Sequence, residues 1–271
     1  VRLRLLRERS SFQHESNVSL LEENSRMREV KKQTLPESAL LHTLPGILLT
    51  VFLVFFSFLF KGRGVPAIFF LQIGVFFVMI PTMYAIARRY ARAENLASVR
   101  ELIPFQNRVP WFEFVLWTVV IFVFAALVLT MAGKSFNPAL KGALFGWMPS
   151  WLDITDIFVH PSDYSAAWRI TVWVLGLIAT SIVGPVAEEF YFRGFLLPRI
   201  KGKVVGPVLW GASLFALYHV FSLWLVPARI IALIPLVYIT LKKRNIGIAI
   251  AAHCILNIAG DSISSLSILL G

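Results

Sequence analysis

The sequence predicts an all-α, polytopic membrane bundle, and three observations carry that prediction. Of its 271 residues, 57% are hydrophobic and only 15% are charged, where a soluble domain carries about 25% charged residues. Mean hydropathy is +0.73. Several apolar stretches approach the roughly 20 residues a spanning helix requires. Together these exclude a disordered chain, a coiled coil and an ordinary water-soluble enzyme. The alternation of an outer-membrane barrel is absent. A segment in lipid must satisfy its own backbone, so helices are expected.

The segments follow in order. The first runs from about Leu41 to Phe60, the second from Val65 to Ala87 and the third from Trp111 to Ala132. A fourth begins near Trp168 and continues to Ala187, where two glutamates interrupt it. A fifth covers Val204 to Phe221. A sixth covers Arg229 to Leu241, with an entry as early as Leu223, and a seventh covers Ile246 to Ala259. Ser262 to Leu270 is too short to span alone; it extends the seventh helix or forms an eighth, partial segment. About seven to eight membrane helices result, in one domain over 38–271 without internal repeat.

The first 37 residues differ. They hold eight Lys/Arg and six Glu, as in a basic surface helix or arm on the cytosolic side. No cleavable signal peptide is expected, because no apolar core follows a short basic start. Asn17-Val18-Ser19 fits a glycosylation sequon, read here as a chance match. The net charge of +11 would suit nucleic acid in a soluble chain. In one this apolar it belongs to membrane-flanking loops, and no nucleic-acid partner is expected. The arm and the loops after the second, fourth and sixth helices carry most of the basic residues, among them Arg88, Arg89, Arg199 and Lys242. This predicts a cytosolic N-terminus and places the long loop Gly133 to Ala167 on the other side, with Trp147, Trp151 and Trp168 as interface anchors. The one cysteine, Cys254, excludes an internal disulfide.

Ionisable groups within a membrane are costly and mark functional cavities. They cluster in the second half: Glu188 and Glu189, then Arg193, His219, His253 and Asn257. A helix rises about 1.5 Å per residue, which puts Glu188 roughly 16 Å from Arg199 and His219 roughly 24 Å from Lys203. By the same measure His253 and Asn257 lie roughly 14 and 20 Å from Arg244. The groups thus share a broad depth, blurred by a kink expected at Gly184-Pro185. Glu189 and Arg193 are four apart and should form an intrahelical ion pair. Glu188 is turned about 100° from Glu189 and is free to face a cavity. Gly211, Phe215 and His219 form one stripe; Ala249, His253, Asn257 and Asp261 form another.

A single buried histidine is ordinarily a packing residue. Two adjacent glutamates in an apolar helix are harder to dismiss, because burial of each costs several kcal/mol unless it is compensated. Arg229, Glu113 and Arg169 read as helix-end residues that snorkel. Asp153, Asp156, Asp163 and His160 read as solvated loop residues. Carboxylates, imidazoles and an amide in one cavity suit hydrolysis by an activated water. A carboxylate in an apolar site can serve as a base near neutral pH, and imidazole or amide N–H groups can stabilise an oxyanion. Which group is base and which is oxyanion partner is open from the residues alone. The His-Glu-x-x-His of membrane zinc proteases is absent. Gly211-Ala212-Ser213-Leu214 lacks the last glycine of a rhomboid-like turn, and only Asp261 lies near a helix for an aspartyl pair. Cys254 reads as a small buried residue.

Three motifs carry a resemblance. Glu188-Glu189-Phe190-Tyr191-Phe192-Arg193 fits Glu-Glu-x-x-x-Arg, Phe215 to His219 fits Phe-x-x-x-His, and His253 to Asn257 fits His-x-x-x-Asn. In this order, over 168–260, the chain resembles the CPBP family of intramembrane glutamic endopeptidases. That family includes type II CAAX prenyl endopeptidases and the bacteriocin-processing or immunity proteins also called Abi. The resemblance implies that Glu188, assisted by His219, activates a water to cut a membrane-associated protein or peptide, lipidated in the CAAX class. It implies that His253 and Asn257 hold the oxyanion while Glu189 and Arg193 fix the helix. No cofactor is expected; a divalent metal on Glu188, His219 and His253 ranks below the metal-free route. The alternative is a non-catalytic immunity, chaperone or assembly factor on the same fold. A bacterial cytoplasmic membrane is the expected location.

Overall fold

Thr34 sets the start of the first membrane helix. Its hydroxyl accepts from the Glu37 N–H while the Glu37 carboxylate accepts from the Thr34 N–H, and this reciprocal cap is reinforced by a proline in the first turn. The computed structural model describes residues 30–270, with the backbone alone over 265–270. The arm expected over 1–37 and the sequon at Asn17 therefore lie largely outside the described residues. From Gln33 onward the chain forms one compact unit.

All the named elements among the described residues are helical. Helix α1 is Leu35–Leu59, α2 Ala67–Ala93 and α3 Trp111–Lys134. Helix α4 is Phe136–Phe145, α5 Ala166–Arg199 and α6 Val205–Tyr218. Helix α7 is Val220–Lys243 and α8 Ile246–Leu270. Among the described residues six helices are long and apolar enough to cross a membrane, and α6 is a shorter apolar helix. The protein is a multi-pass membrane protein.

Several expectations are corrected. Glu188 and Glu189 do not interrupt the fourth segment; α5 runs through them to Arg199. Of the two readings of Ser262 to Leu270, the first holds: they extend the seventh segment, which forms the single helix α8. Helix α6 stops at Tyr218, three residues early, because the backbone leaves helical geometry at His219 (φ −79°, ψ 57°). The loop 133–167 is partly helical, with α4 and a single turn at Asp156–Val159. Its acids are not simply solvated. Asp153 accepts from Lys141 at 2.5 Å and from Thr155, and Asp156 accepts from Tyr164 at 2.7 Å. Arg199, read as a topological anchor, is instead buried and bonded to the Leu102 and Phe195 carbonyls and to Glu94. Glu113 pairs with Lys243 across α3 and α7.

Two of the long helices contain π-helical stretches, Val75–Met79 in α2 and both Gly176–Val183 and Glu189–Leu196 in α5, each shortly before a proline. Proline cannot donate the i→i−4 bond, and its ring crowds the carbonyl one turn back. The wider turn relieves that crowding. The Ile80 N–H reaches back five residues to Val75, and the Gly184 N–H does the same to Ala179. The distortion expected near Gly184-Pro185 takes this form.

The packing follows from residue size. Helix α3 is mostly lipid-facing: Val115, Val119, Val123 and Leu127 are exposed, while Thr118, Ile121 and Ala125 are buried. Helix α6 packs on α1 and α7, and α8 packs on α3 and α5. Gly46 lets α1 close onto the end of α6, since a Cβ there would fall 1.7 Å from the Tyr218 carbonyl oxygen. That contact fixes where Tyr218 and His219 sit.

Candidate catalytic cavity

The π-helical stretch Gly176–Val183 of α5 and the proline after it set up the first wall. In a regular α-helix the Thr180 carbonyl would accept from Gly184, but that N–H goes to Ala179. The π alternative is Pro185, which has no N–H. An unsatisfied carbonyl in a membrane interior is costly. Asn257 of α8 satisfies it, donating Nδ2–H at 2.8 Å. The same logic holds on α1, where Pro45 leaves the Leu41 carbonyl without its helical donor and the Tyr191 hydroxyl supplies one at 2.9 Å. Two prolines thereby pin α5 to its neighbours through side chains.

A cavity of about 280 Å³ opens between α1, α2, α3, α5, α6, α7 and α8. Glu188, His219, His253 and Asn257 all line it. Four of the six residues singled out in the sequence are thus brought together. Glu189 and Arg193 stand behind them, buried to 0% and 2% exposure. The wall opposite is apolar and includes Leu71, Val75, Ile121 and Leu129.

The polar groups form a chain. Arg193 Nε lies 3.2 Å from Glu189 Oε2, an ion pair without hydrogen-bond angles, and the guanidinium carbon sits 4.0 Å from the Phe215 ring centre. The expected intrahelical pair is therefore present. Glu189 Oε1 in turn accepts from His253 Nδ1 at 2.8 Å. His253 Nε2 lies 3.8 Å from Glu188 Oε2. One imidazole thus bridges the two glutamates across α8 and α5. Glu188 Oε1 is 3.2 Å from the Tyr218 hydroxyl, which also meets the Met79 sulfur at 2.7 Å. His219 Nδ1 bonds to the Phe215 carbonyl at 3.0 Å. Since a carbonyl only accepts, the proton sits on Nδ1 and leaves Nε2 as a base.

Several cavity residues were not assigned to a site from the sequence. Tyr218 is the neighbour of His219, but its alignment with Glu188 depends on the helix ending there. Arg229 was read as a snorkelling residue; it lines the cavity instead. Asp261 also lines it, bonded to the Ser181 hydroxyl and to Thr180 at 3.2 Å. Its place on the Ala249–His253–Asn257 stripe was the available signal. His42 on α1 is buried too, which widens the set of buried ionisable groups beyond the second half. Cys254 is half-buried, with its sulfur 3.9 Å from the Ile182 carbonyl.

Among the described residues no three His, Cys, Asp or Glu groups are spaced to share one metal ion. In chemical terms the cavity offers a carboxylate, a basic imidazole nitrogen, a hydroxyl and amide and guanidinium donors within a largely apolar shell.

Residues 170–259 match the family model for Rce1-like proteins, described as type II CAAX prenyl endopeptidase Rce1-like. The matched stretch, about a third of the chain, contains all three motifs and with them the six candidate residues, and is similar to the same family that those motifs resemble. No curated protein and no solved structure matches the chain.

Proposed function

We propose, with the match to a CAAX-protease family as premise, that the chain is a membrane endopeptidase in which Glu188 activates the attacking water. The observation that carries this reading is the convergence of Glu188, His219, His253 and Asn257, from helices α5 and α8 and the end of α6, on one cavity. Glu188 is the base. His219, with Nε2 open, assists by holding the water or its proton. The second amide hydrogen of Asn257 would donate to the developing oxyanion, and His253, whose Nδ1 already gives its hydrogen to Glu189, would join it from Nε2 as the imidazolium, the form with a hydrogen on both ring nitrogens. Glu189 and Arg193 are positioning residues: they hold His253 through the 2.8 Å contact and so fix the geometry around Glu188.

The apolar shell supports a substrate presented from the bilayer. A protein or peptide whose prenylated cysteine is followed by a short C-terminal CAAX tail is the substrate class we assign, following the description of the matched family. A cytosolic N-terminus and a bacterial cytoplasmic membrane complete the proposal, supported by the basic residues of the arm and alternate loops.

The test uses the purified chain in lipid nanodiscs with a fluorogenic farnesylated CAAX peptide. Glu188→Gln should reduce turnover by about 10²- to 10⁴-fold while the melting profile stays that of the parent. Undiminished cleavage by the folded variant would sink the reading.

A further inference from the structure

We propose that Arg229 is a further catalytic residue of this cavity, donating to the oxygen that becomes anionic when water adds to the scissile carbonyl. This rests on the hydrolytic reading above, and none of the three motifs contains the residue.

The fold explains why an arginine at a helix start is interior. Helix α6 has 14 residues, about 21 Å of rise, against a hydrocarbon core of roughly 30 Å. The chain then leaves helical geometry at His219 and turns into α7. Ser222 at this corner is buried and non-helical (φ −151°, ψ 51°), and Trp224 is buried under Phe145 of α4. Arg229, about one turn into the regular helix that starts at Val226, lines the cavity instead of pointing away from the helix end, so it is not placed as a snorkelling residue.

The guanidinium is tethered on one side only. Arg229 Nη1 donates to Ser222 Oγ at 2.7 Å and more weakly to the Ser222 carbonyl at 3.4 Å. Its Nε and Nη2 hydrogens make no hydrogen bond to the described residues. Among the residues lining the cavity it is the single Arg or Lys. The donors that the family resemblance assigns to the oxyanion are each partly engaged, His253 by Glu189 and Asn257 by the Thr180 carbonyl. A full positive charge, held by one edge in a water-poor site, is the stronger donor.

The step balances without metal or oxidant. As Glu188 takes a proton from water, the oxygen–carbon bond forms and the carbonyl π pair moves onto oxygen, where Arg229 meets it. Collapse returns that pair, breaks the carbon–nitrogen bond and passes the proton from Glu188 to the leaving amine.

The experiment compares the parent, Arg229→Gln, Arg229→Lys and Glu188→Gln in nanodiscs, with the farnesylated CAAX peptide as substrate and its phosphonate analogue as a tetrahedral anion. Arg229→Gln should lower kcat about a hundredfold, hold KM within about twofold and weaken phosphonate binding in parallel. Arg229→Lys should recover part of the rate, because charge returns without the planar fork. A raised KM at parental kcat, unchanged kinetics, or a lower kcat with undisturbed phosphonate affinity overturns the assignment. If Glu188→Gln is inactive and Arg229→Gln is not, only Arg229 falls; if Glu188→Gln is active, the hydrolytic reading falls first. A parent that neither cleaves the peptide nor binds the phosphonate removes both. Should Arg229→Gln not fold, Ser222→Ala, which releases the tether, is expected to lower kcat about tenfold, and a parental rate there overturns the proposal.

Discussion

Arg193 and Arg199 lie six residues apart on α5, and both are buried to 2% exposure. Their surroundings differ. Arg199 is met by two backbone carbonyls, at 3.1 and 2.8 Å, and by both oxygens of Glu94 at 3.2 and 3.3 Å. Arg193 has a single ion contact without hydrogen-bond angles and the face of Phe215. The first arrangement closes on itself. The second continues through Glu189 and His253 to Glu188 in the cavity. A buried charge satisfied by backbone is a structural anchor, whereas one compensated only by another side chain transmits its position to whatever that side chain holds.

The contrast can be broken at either end. The largest effect is expected from Arg193→Met, which leaves Glu189 buried with one partner. Removing one member of a buried ion pair costs about 3–5 kcal/mol, read as a fall in thermal stability in detergent, with cleavage falling as well. If activity survived in full, Arg193 would be an anchor like Arg199. Glu94→Gln is the matching change at the other end. Losing a charged hydrogen-bond partner while the carbonyls remain should cost roughly 1.5 kcal/mol and leave the cleavage rate of the folded protein alone. A rate loss there would mean that the two arginines are not separate.

A finer pair tests the proline-freed carbonyls. Tyr191→Phe and Asn257→Ala each strip a carbonyl of its donor, at a cost of about 1 kcal/mol or somewhat more. Only Asn257→Ala should also slow cleavage, since Tyr191 lies away from the cavity lining. Equal activity loss in the two would reduce the Asn257 role to helix pinning.

The smallest effect lies outside the membrane. Burial pushes the Asp153 carboxyl up, but the hydrogen bonds from Lys141 and Thr155 outweigh it and hold it below the usual carboxylate range. A lowered folded value means stabilisation that is fully present above the unfolded value, about 3.9, and lost as pH falls through the folded one. Asp153→Asn should therefore cost under about 1 kcal/mol near neutral pH, the pair being partly exposed to solvent and screened. The difference from the parent should shrink in melts taken progressively below the unfolded value of about 3.9. A difference that persisted in acid would assign the effect to packing instead.

Much of this was legible beforehand, for identifiable reasons. Apolar length marks a membrane helix whatever its neighbours, so seven segments could be read directly. Helical periodicity put Glu189 beside Arg193 and aligned His253 with Asn257 and Asp261. What misled was end geometry. His219 looks internal to a helix until the chain turns there, and Arg229 looks like a helix-end residue on a surface until the short α6 places that end inside the bundle. Arg199 looked like a loop charge because nothing local reveals the Leu102 carbonyl about a hundred positions away in the chain.

The sequence by itself determined the helices, the intrahelical Glu189–Arg193 pair and the set of costly polar groups, because hydropathy and the 3.6-residue repeat are local properties. Only the tertiary structure decided that His253 bridges the two glutamates, that Tyr218 reaches Glu188, and that Arg229 faces the cavity while Arg199 does not. Those outcomes depend on helix crossings and on where α6 stops, which are set by contacts such as Gly46 against the Tyr218 carbonyl, between residues far apart in the chain.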